Sequence, residues 1–271
     1  STFFMNKAQT FHRTIARLTF LYAEQEKRKE LARQELTGRF FRFIQNFRSL
    51  YDTTINGLYA KYVEPFKQRH RDLFDLSLLE AIEKAHWETY HSKLLAYIWG
   101  WDRHAFVAFL NSIAGIDPAL IAQVKESVSY RIKTEQKTSA GKFIDLLITD
   151  DRNWVIAIEN KIDAKVSTHE TGELQITHYR KWVTKEFPGF NRCFILLSHK
   201  NNTKYLINEK EWKHCNYSVL FKSLLSIVHP DRITREYQSA VLSLLCDKDA
   251  SVDDVSMSLY GINQFRIFED E

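Results

Sequence analysis

Apolar residues recur at three- and four-residue intervals through the first half of the chain, then give way to alternation and short apolar runs after Val128. Residues 5–36 hold no Pro or Gly, and Ile15, Leu18, Leu21 and Tyr22 follow helical spacing. Gly38 interrupts the pattern. A second helix is predicted beyond it, with Phe40, Phe43, Phe47, Leu50, Tyr51, Leu58 and Tyr62 along one broad face. Pro65 ends that helix, because proline removes a helical N–H and clashes with the preceding turn. Together the two read as an αα-hairpin. Residues 72–84, 88–99 and 103–114 also carry helical patterns. Asp117-Pro118 marks a further start, with Asp as cap and Pro at the first helical position.

Beyond Val128 the period shortens. Tyr130 to Gln136 alternates, Phe143 to Thr149 is more apolar, and Trp154 to Asn160 follows the polar turn Asp150-Asp151-Arg152-Asn153. Three strands at short intervals predict a β-meander. A helix follows over 172–187, then a strand over 192–198, a short edge strand over 217–220, and two helices over 220–228 and 232–246. The order is helices, then β-β-β-α-β, then helices.

Composition narrows the class. The 271 residues are 44% hydrophobic and 27% charged, with only 8 Gly and 4 Pro. That excludes a disordered chain and argues against a turn-rich β-sandwich. The expected class is α/β (α+β): helix-rich around one small sheet. Three cysteines, Cys193, Cys215 and Cys246, form no CxxC pair, which fits reduced thiols in a cytoplasmic protein. No apolar run approaches the roughly 18–20 residues that span a bilayer, so no membrane association is expected.

Chemistry concentrates at one strand end. In Trp154-Val-Ile-Ala-Ile-Glu159-Asn160-Lys161, alternation puts Val155, Ala157, Glu159 and Lys161 on one face and Trp154, Ile156, Ile158 and Asn160 on the other. Apolar residues on both faces predict a covered, central strand. It ends in a carboxylate and an ammonium, which are costly to bury without partners. The preceding strand places a lone Asp145 among apolar residues. A hairpin turning near Asp151, with modest stagger or a bulge, brings Asp145 and Glu159 to the same end. Two carboxylates there make a hard oxygen site suited to Mg²⁺, with Mn²⁺ as substitute. Lys161 would then help activate water or meet a substrate phosphate.

The set Asp145…Glu159-Asn160-Lys161 resembles the D…(D/E)xK signature of the PD-(D/E)XK nuclease superfamily. The αβββαβ order over residues 88–198 is similar to that family's restriction-endonuclease-like core, which has a mixed sheet. Gln175-Ile-Thr-His-Tyr179 resembles the QxxxY motif of its RecB-like branch. Glu88-Thr-Tyr-His91-Ser92-Lys-Leu-Leu-Ala96, with Ile158 to Ile162 as I-E-N-K-I, resembles an uncharacterised bacterial subfamily. The residue before Asp145 is Ile144, not Pro.

The resemblance implies a Mg²⁺-dependent nuclease acting on DNA, in a bacterial restriction or phage-defence setting. It implies catalytic roles for Asp145, Glu159, Lys161, Gln175 and Tyr179, with Asp145, Glu159 and Glu88 as metal ligands. The alternative is a catalytically silent nuclease fold that binds nucleic acid or a partner protein. Each residue also has a structural reading: Glu88 favouring its helix N-terminus, Gln175 and Tyr179 as surface and core, Glu135 as an ordinary strand residue. His91, His169 and His178 lack zinc-ligand spacing, and Ser92 has no evident triad partners.

The resemblance covers residues 86–246, giving a nuclease-like domain over 86–271 and a helical N-terminal region over 1–85. Net charge is +4, and the excess is uneven. Residues 1–87 hold 15 Lys and Arg against 10 Asp and Glu. Arg33, Arg39, Arg42 and Arg48 run beside the aromatic stripe, so the N-terminal region is expected to hold a nucleic-acid backbone or to form a homodimer through its helices.

Overall fold

The doubly apolar run around Ile156 becomes the middle of a five-stranded sheet. The computed structural model describes residues 2–168, 172–199, 202–249 and 258–269, with side chains throughout except at 2–12, 258 and 259. The strands are β1 (Arg131–Lys137), β2 (Phe143–Thr149), β3 (Trp154–Lys161), β4 (Asn191–Ser198) and β5 (Trp212–Asn216), in spatial order β1-β2-β3-β4-β5. The first three form an antiparallel meander, whereas β3–β4 and β4–β5 pair parallel, so the sheet is mixed. Every residue of β3 is buried. This is the α+β architecture expected of a restriction-endonuclease-like fold.

Two compact units make up the chain, Ser1–Leu58 and Tyr59–Glu271. The first contains one helix, α1 (Thr2–Leu58), of 57 residues. The predicted hairpin is therefore corrected: no turn occurs at Gly38. A glycine inside a helix costs only about 1 kcal/mol relative to alanine. Gln34, Glu35, Leu36 and Arg39 nearby favour helix, and without a proline or a second breaker beside Gly38 the helix runs through.

The second unit opens with a π-helical turn (Tyr59–Val63), then α2 (Glu64–Arg69), a 3₁₀ turn (Arg71–Phe74), α3 (Leu78–Ala81), α4 (Glu88–Trp101), α5 (Arg103–Asn111) and α6 (Pro118–Glu126). Residues 59–85 thus lie in the sheet-bearing unit. The predicted helix over 72–84 is broken, because Asp75 and Ser77 are extended. Ser77 then restarts the chain as α3 through a reciprocal capping box with Glu80. Asp117 caps α6 as its sequence predicts, accepting from the Ala119 N–H at 2.9 Å.

The remaining helices are α7 (Gln175–Glu186), α8 (Tyr217–Leu225), α9 (Arg232–Leu245) and α10 (Ser258–Gln264), followed by a 3₁₀ turn (Phe265–Phe268). The edge strand predicted over 217–220 is also corrected. It sits five residues earlier, as β5, because Asn216 caps a helix there through its side chain and the Ser218 N–H at 2.9 Å.

Helices cover both sheet faces. Ile176, Tyr179 and Val183 of α7 pack on Val155, Ala157, Phe194 and Leu196. Each such burial is worth roughly 1.5–3 kcal/mol. α4 crosses the other face, contacting β1, β2 and β3. The three cysteines are buried free thiols. Among the described residues no helix is long and apolar enough to cross a membrane.

Candidate active site

The carboxylates meet by simple register. The β2–β3 ladder pairs Thr149 with Val155, Leu147 with Ala157 and Leu146 with Ile158. One step further, Asp145 falls opposite Glu159, without the stagger or bulge that a turn near Asp151 would need. The hairpin is centred on Arg152 instead. Val155, Ala157, Glu159 and Lys161 share the α7 face, as strand alternation predicts.

Glu159 is fully buried. Its Oε1 lies 2.7 Å from Lys161 Nζ, yet neither carboxylate oxygen receives a well-directed hydrogen bond. Burial, and then the neighbouring Asp145 charge, pushes its carboxyl far above the ordinary carboxylate range. Burial also raises Asp145, to about 6, against the pull of Lys161 and of the Asn160 N–H that Asp145 Oδ2 accepts at 2.7 Å. Two crowded acids share one ammonium, and further positive charge beside them would relieve their burial and mutual repulsion. A hard divalent cation fits this donor set, since Mg²⁺ needs few protein ligands and keeps several waters.

Burial alone would lower Lys161, but Glu159, Asp145 and Glu88 outweigh it and hold the ammonium above its ordinary range. Glu88 opens α4 and reaches over the strand end. Its Oε1 accepts the Ile162 N–H at 2.9 Å, and its Oε2 lies 3.4 Å from Lys161 Nζ. Among the described residues no three His, Cys, Asp or Glu side chains converge as a ready-made metal cage. Glu88 is engaged with the lysine and the backbone.

Gln175 and Tyr179 lie one turn apart on α7. The Gln175 amide donates to the Tyr179 hydroxyl at 2.6 Å, and that hydroxyl donates to the Phe143 carbonyl. Gln175 Oε1 accepts from Ser167 at 2.7 Å. Burial, then the Glu159 charge, raises the Tyr179 phenol, so it stays protonated as a donor. The pair ties α7 to the start of β2, two residues from Asp145.

The opposite face carries a network that sequence reasoning missed. Asn160 Nδ2 donates to the Glu88 carbonyl at 3.2 Å, and its Oδ1 accepts from the Tyr217 hydroxyl at 2.7 Å. Asn160 thereby fixes the first turn of α4, and with it Glu88, against β3. A polar residue inside an apolar strand was the visible signal. Ser92 donates to the Glu88 carbonyl at 3.0 Å, a structural role. His91 bridges the Ala85 carbonyl and the Tyr237 hydroxyl, His178 meets Thr138, and His169 lies outside the described residues.

Glu135 is the other residue that earns notice. The β1–β2 ladder pairs Thr134 with Leu146 and Gln136 with Ile144, skipping Glu135, the residue opposite Asp145. Glu135 has φ 52°, and its Oε1 is buried without a hydrogen-bond partner. Glu135, Asp145 and Glu159 thus occupy one row across three strands.

Arg33, Arg39, Arg42 and Arg48 all lie on α1, within the other unit, and are exposed. They do not share one face. At about 100° per residue, Arg33 and Arg48 lie together on one flank of the apolar stripe, and Arg39 and Arg42 on the other. Arg39 pairs with Glu35 at 2.6 Å, and Arg48 lies 3.9 Å from Asp52.

A sequence model of the family described as the PD-(D/E)XK nuclease superfamily matches residues 76–243 of this chain. No curated protein and no solved structure matches it.

Proposed function

Because the chain belongs to the PD-(D/E)XK nuclease superfamily, we propose that it is a Mg²⁺-dependent nuclease that hydrolyses phosphodiester bonds in DNA. The observation that carries this reading is the juxtaposition of Asp145 and Glu159 at one sheet end, beside a buried ammonium. Asp145 and Glu159 would hold the cation. When bound, that cation supplies a lowered water pKa and charge compensation at the scissile phosphate.

The chain's own residues do the rest. Lys161 keeps its proton and donates to the attacking water or a phosphate oxygen, which stabilises the negative charge that develops on the phosphoryl oxygens. Glu88 holds the lysine's ammonium end, and Asn160 holds Glu88's turn. Gln175 and Tyr179 fix the helix that walls the site. A restriction or phage-defence setting in a bacterium, and a cytoplasmic location, complete the reading.

The test uses purified protein with plasmid, linear duplex, single-stranded DNA and RNA, each with Mg²⁺, Mn²⁺ or chelator. DNA cleavage that needs a divalent cation and disappears in Glu159→Ala and Lys161→Ala supports the reading. Cation-dependent cleavage of RNA alone overturns the substrate. Nucleic-acid binding without turnover on any form favours the silent-fold alternative.

A further inference from the structure

α1 carries apolar side chains that a lone helix leaves in water. Leu36, Phe40, Phe43, Phe47 and Leu50 are between 58% and 69% exposed, an amount of apolar surface that monomeric soluble chains avoid. Their spacing is four, three, four and three residues, which is the a/d pattern of a heptad. One column runs farther. Ile15, Tyr22, Lys29, Leu36, Phe43 and Leu50 fall seven residues apart, all apolar but Lys29.

That repeat distinguishes two uses of an apolar helix face. A helix resting on a globular core follows the 3.6-residue period. A strict seven-residue column drifts about 20° per heptad on a straight helix, and stays in one seam only when the helix supercoils about another. Phe43 stacks on Phe47, and Phe47 on Tyr51, with ring centroids 6.2 and 6.4 Å apart. The arginines lie on the flanks and leave the seam uninterrupted from Leu36 to Leu50.

We propose that α1 pairs with α1 of a second copy of this chain, as a coiled-coil dimer through the Leu36–Phe40–Phe43–Phe47–Leu50 seam. The occupant follows from symmetry and area. A two-fold contact needs a self-complementary patch, and a heptad seam fits a helix bearing the same seam. Aromatic side chains bury roughly 150–250 Å² each. Three phenylalanines and two leucines at about three-fifths exposure therefore offer on the order of 500 Å² per chain. Ile15, Tyr22, Ile44 and Tyr51 extend this toward the roughly 800 Å² per partner of a standard interface. The proposal is independent of the nuclease reading.

Light scattering on the full chain tests it. The expected mass is twice that of one chain. Phe40→Glu/Phe43→Glu/Phe47→Glu is expected to give the mass of one chain, with the thermal transition of the sheet-bearing unit unchanged. Gln45→Glu/Ser49→Glu, on the far side of the same helix, is expected to stay dimeric. Should the triple variant fail to fold, Phe43→Ala is expected to weaken dimerisation at least about tenfold in sedimentation equilibrium. A one-chain mass for the unaltered protein, which would leave the seam to a different protein, overturns the proposal. So does a mass of three or more chains, a triple variant that remains dimeric, or a Phe43→Ala dimer of unchanged affinity.

Discussion

Asp145 faces Glu159 across the β2–β3 pair, each seven residues from Arg152 at the centre of the hairpin. Two like charges are held together there in a nearly dry sheet end, with one lysine between them and Glu88. On the proposed reading this arrangement serves cation binding at a cost in stability, and it sets the sign of the first prediction.

Asp145→Asn should make the protein more stable in chelator while abolishing cleavage. Burial pushes Asp145 up to about 6, so at pH 8 the folded state holds a carboxylate it disfavours. The amide keeps an acceptor for the Asn160 N–H. A gain of about 1–2 kcal/mol in unfolding free energy is expected, read from urea denaturation, in line with the usual trade between stability and activity. A clear loss of stability would show that the two acids do not repel in the folded state.

Mg²⁺ or Mn²⁺ should raise the thermal midpoint of the unaltered protein, and not that of Glu159→Ala. A ligand that binds only the folded form at about a hundred times its dissociation constant adds roughly 2.7 kcal/mol. Scanning calorimetry at increasing cation concentration reads this without any nucleic acid. Equal shifts in both proteins would move the cation elsewhere.

Glu88→Gln should lower cleavage by about 10–100-fold while leaving most cation affinity intact. The amide oxygen can still accept from the Ile162 N–H, but the charge facing Lys161 Nζ is gone. Titration calorimetry beside single-turnover rates separates the two effects. If cation affinity falls as far as the rate does, Glu88 is a direct ligand.

His91 should contribute an acid limb to stability. Burial lowers its pKa to about 4, although the Ala85 carbonyl accepts its Nε2–H at 2.6 Å. The folded protein therefore binds fewer protons than the unfolded chain between about 4 and 6.5. Its contribution is complete above pH 6.5 and is lost as pH falls toward 4. The expected loss over that window is about 3 kcal/mol. Asp145 acts in the opposite sense there, since its raised pKa favours the folded state at low pH. Comparing unfolding free energies of the unaltered protein and His91→Gln at pH 7.5 and pH 4.5 cancels that term. Parallel pH profiles would mean that His91 takes up its proton without cost.

Much of the sheet could be read from the sequence because strand alternation and apolar runs are local signals. Phe143 to Thr149 and Trp154 to Lys161 were legible almost to the residue, but the turn was placed one residue early, so the acids were expected to meet only through a stagger or bulge that the register does not need. The helical errors came from competition that one sequence window does not display. Gly38 looked like a break, but a single glycine costs too little to stop a long helix. Residues 72–84 looked continuous, but Ser77 caps a fresh start. β5 was misplaced because Trp-Lys-His-Cys-Asn lacks an apolar alternation, and its position is set by pairing with β4. Asn160 read only as the middle of the motif and Glu135 as an ordinary strand residue, because their surroundings, Tyr217 and the row through Asp145, exist only after the strands pair.

The mixed direction of the sheet has a further consequence. β1 ends, β2 begins, and β3 and β4 both leave the sheet on the side that holds Asp145 and Glu159. The opposite side carries the short hairpin turn at Asp150–Asn153. Three connections, departing at Thr138, Ile162 and His199, therefore open around the acids. If the chain is the nuclease proposed above, lengthening or recharging those connections would change substrate choice while the strands stay as they are. Such a division between a chemical floor built on strands and walls built on loops would let chains of this design part company in what they cut before they part company in how they cut it.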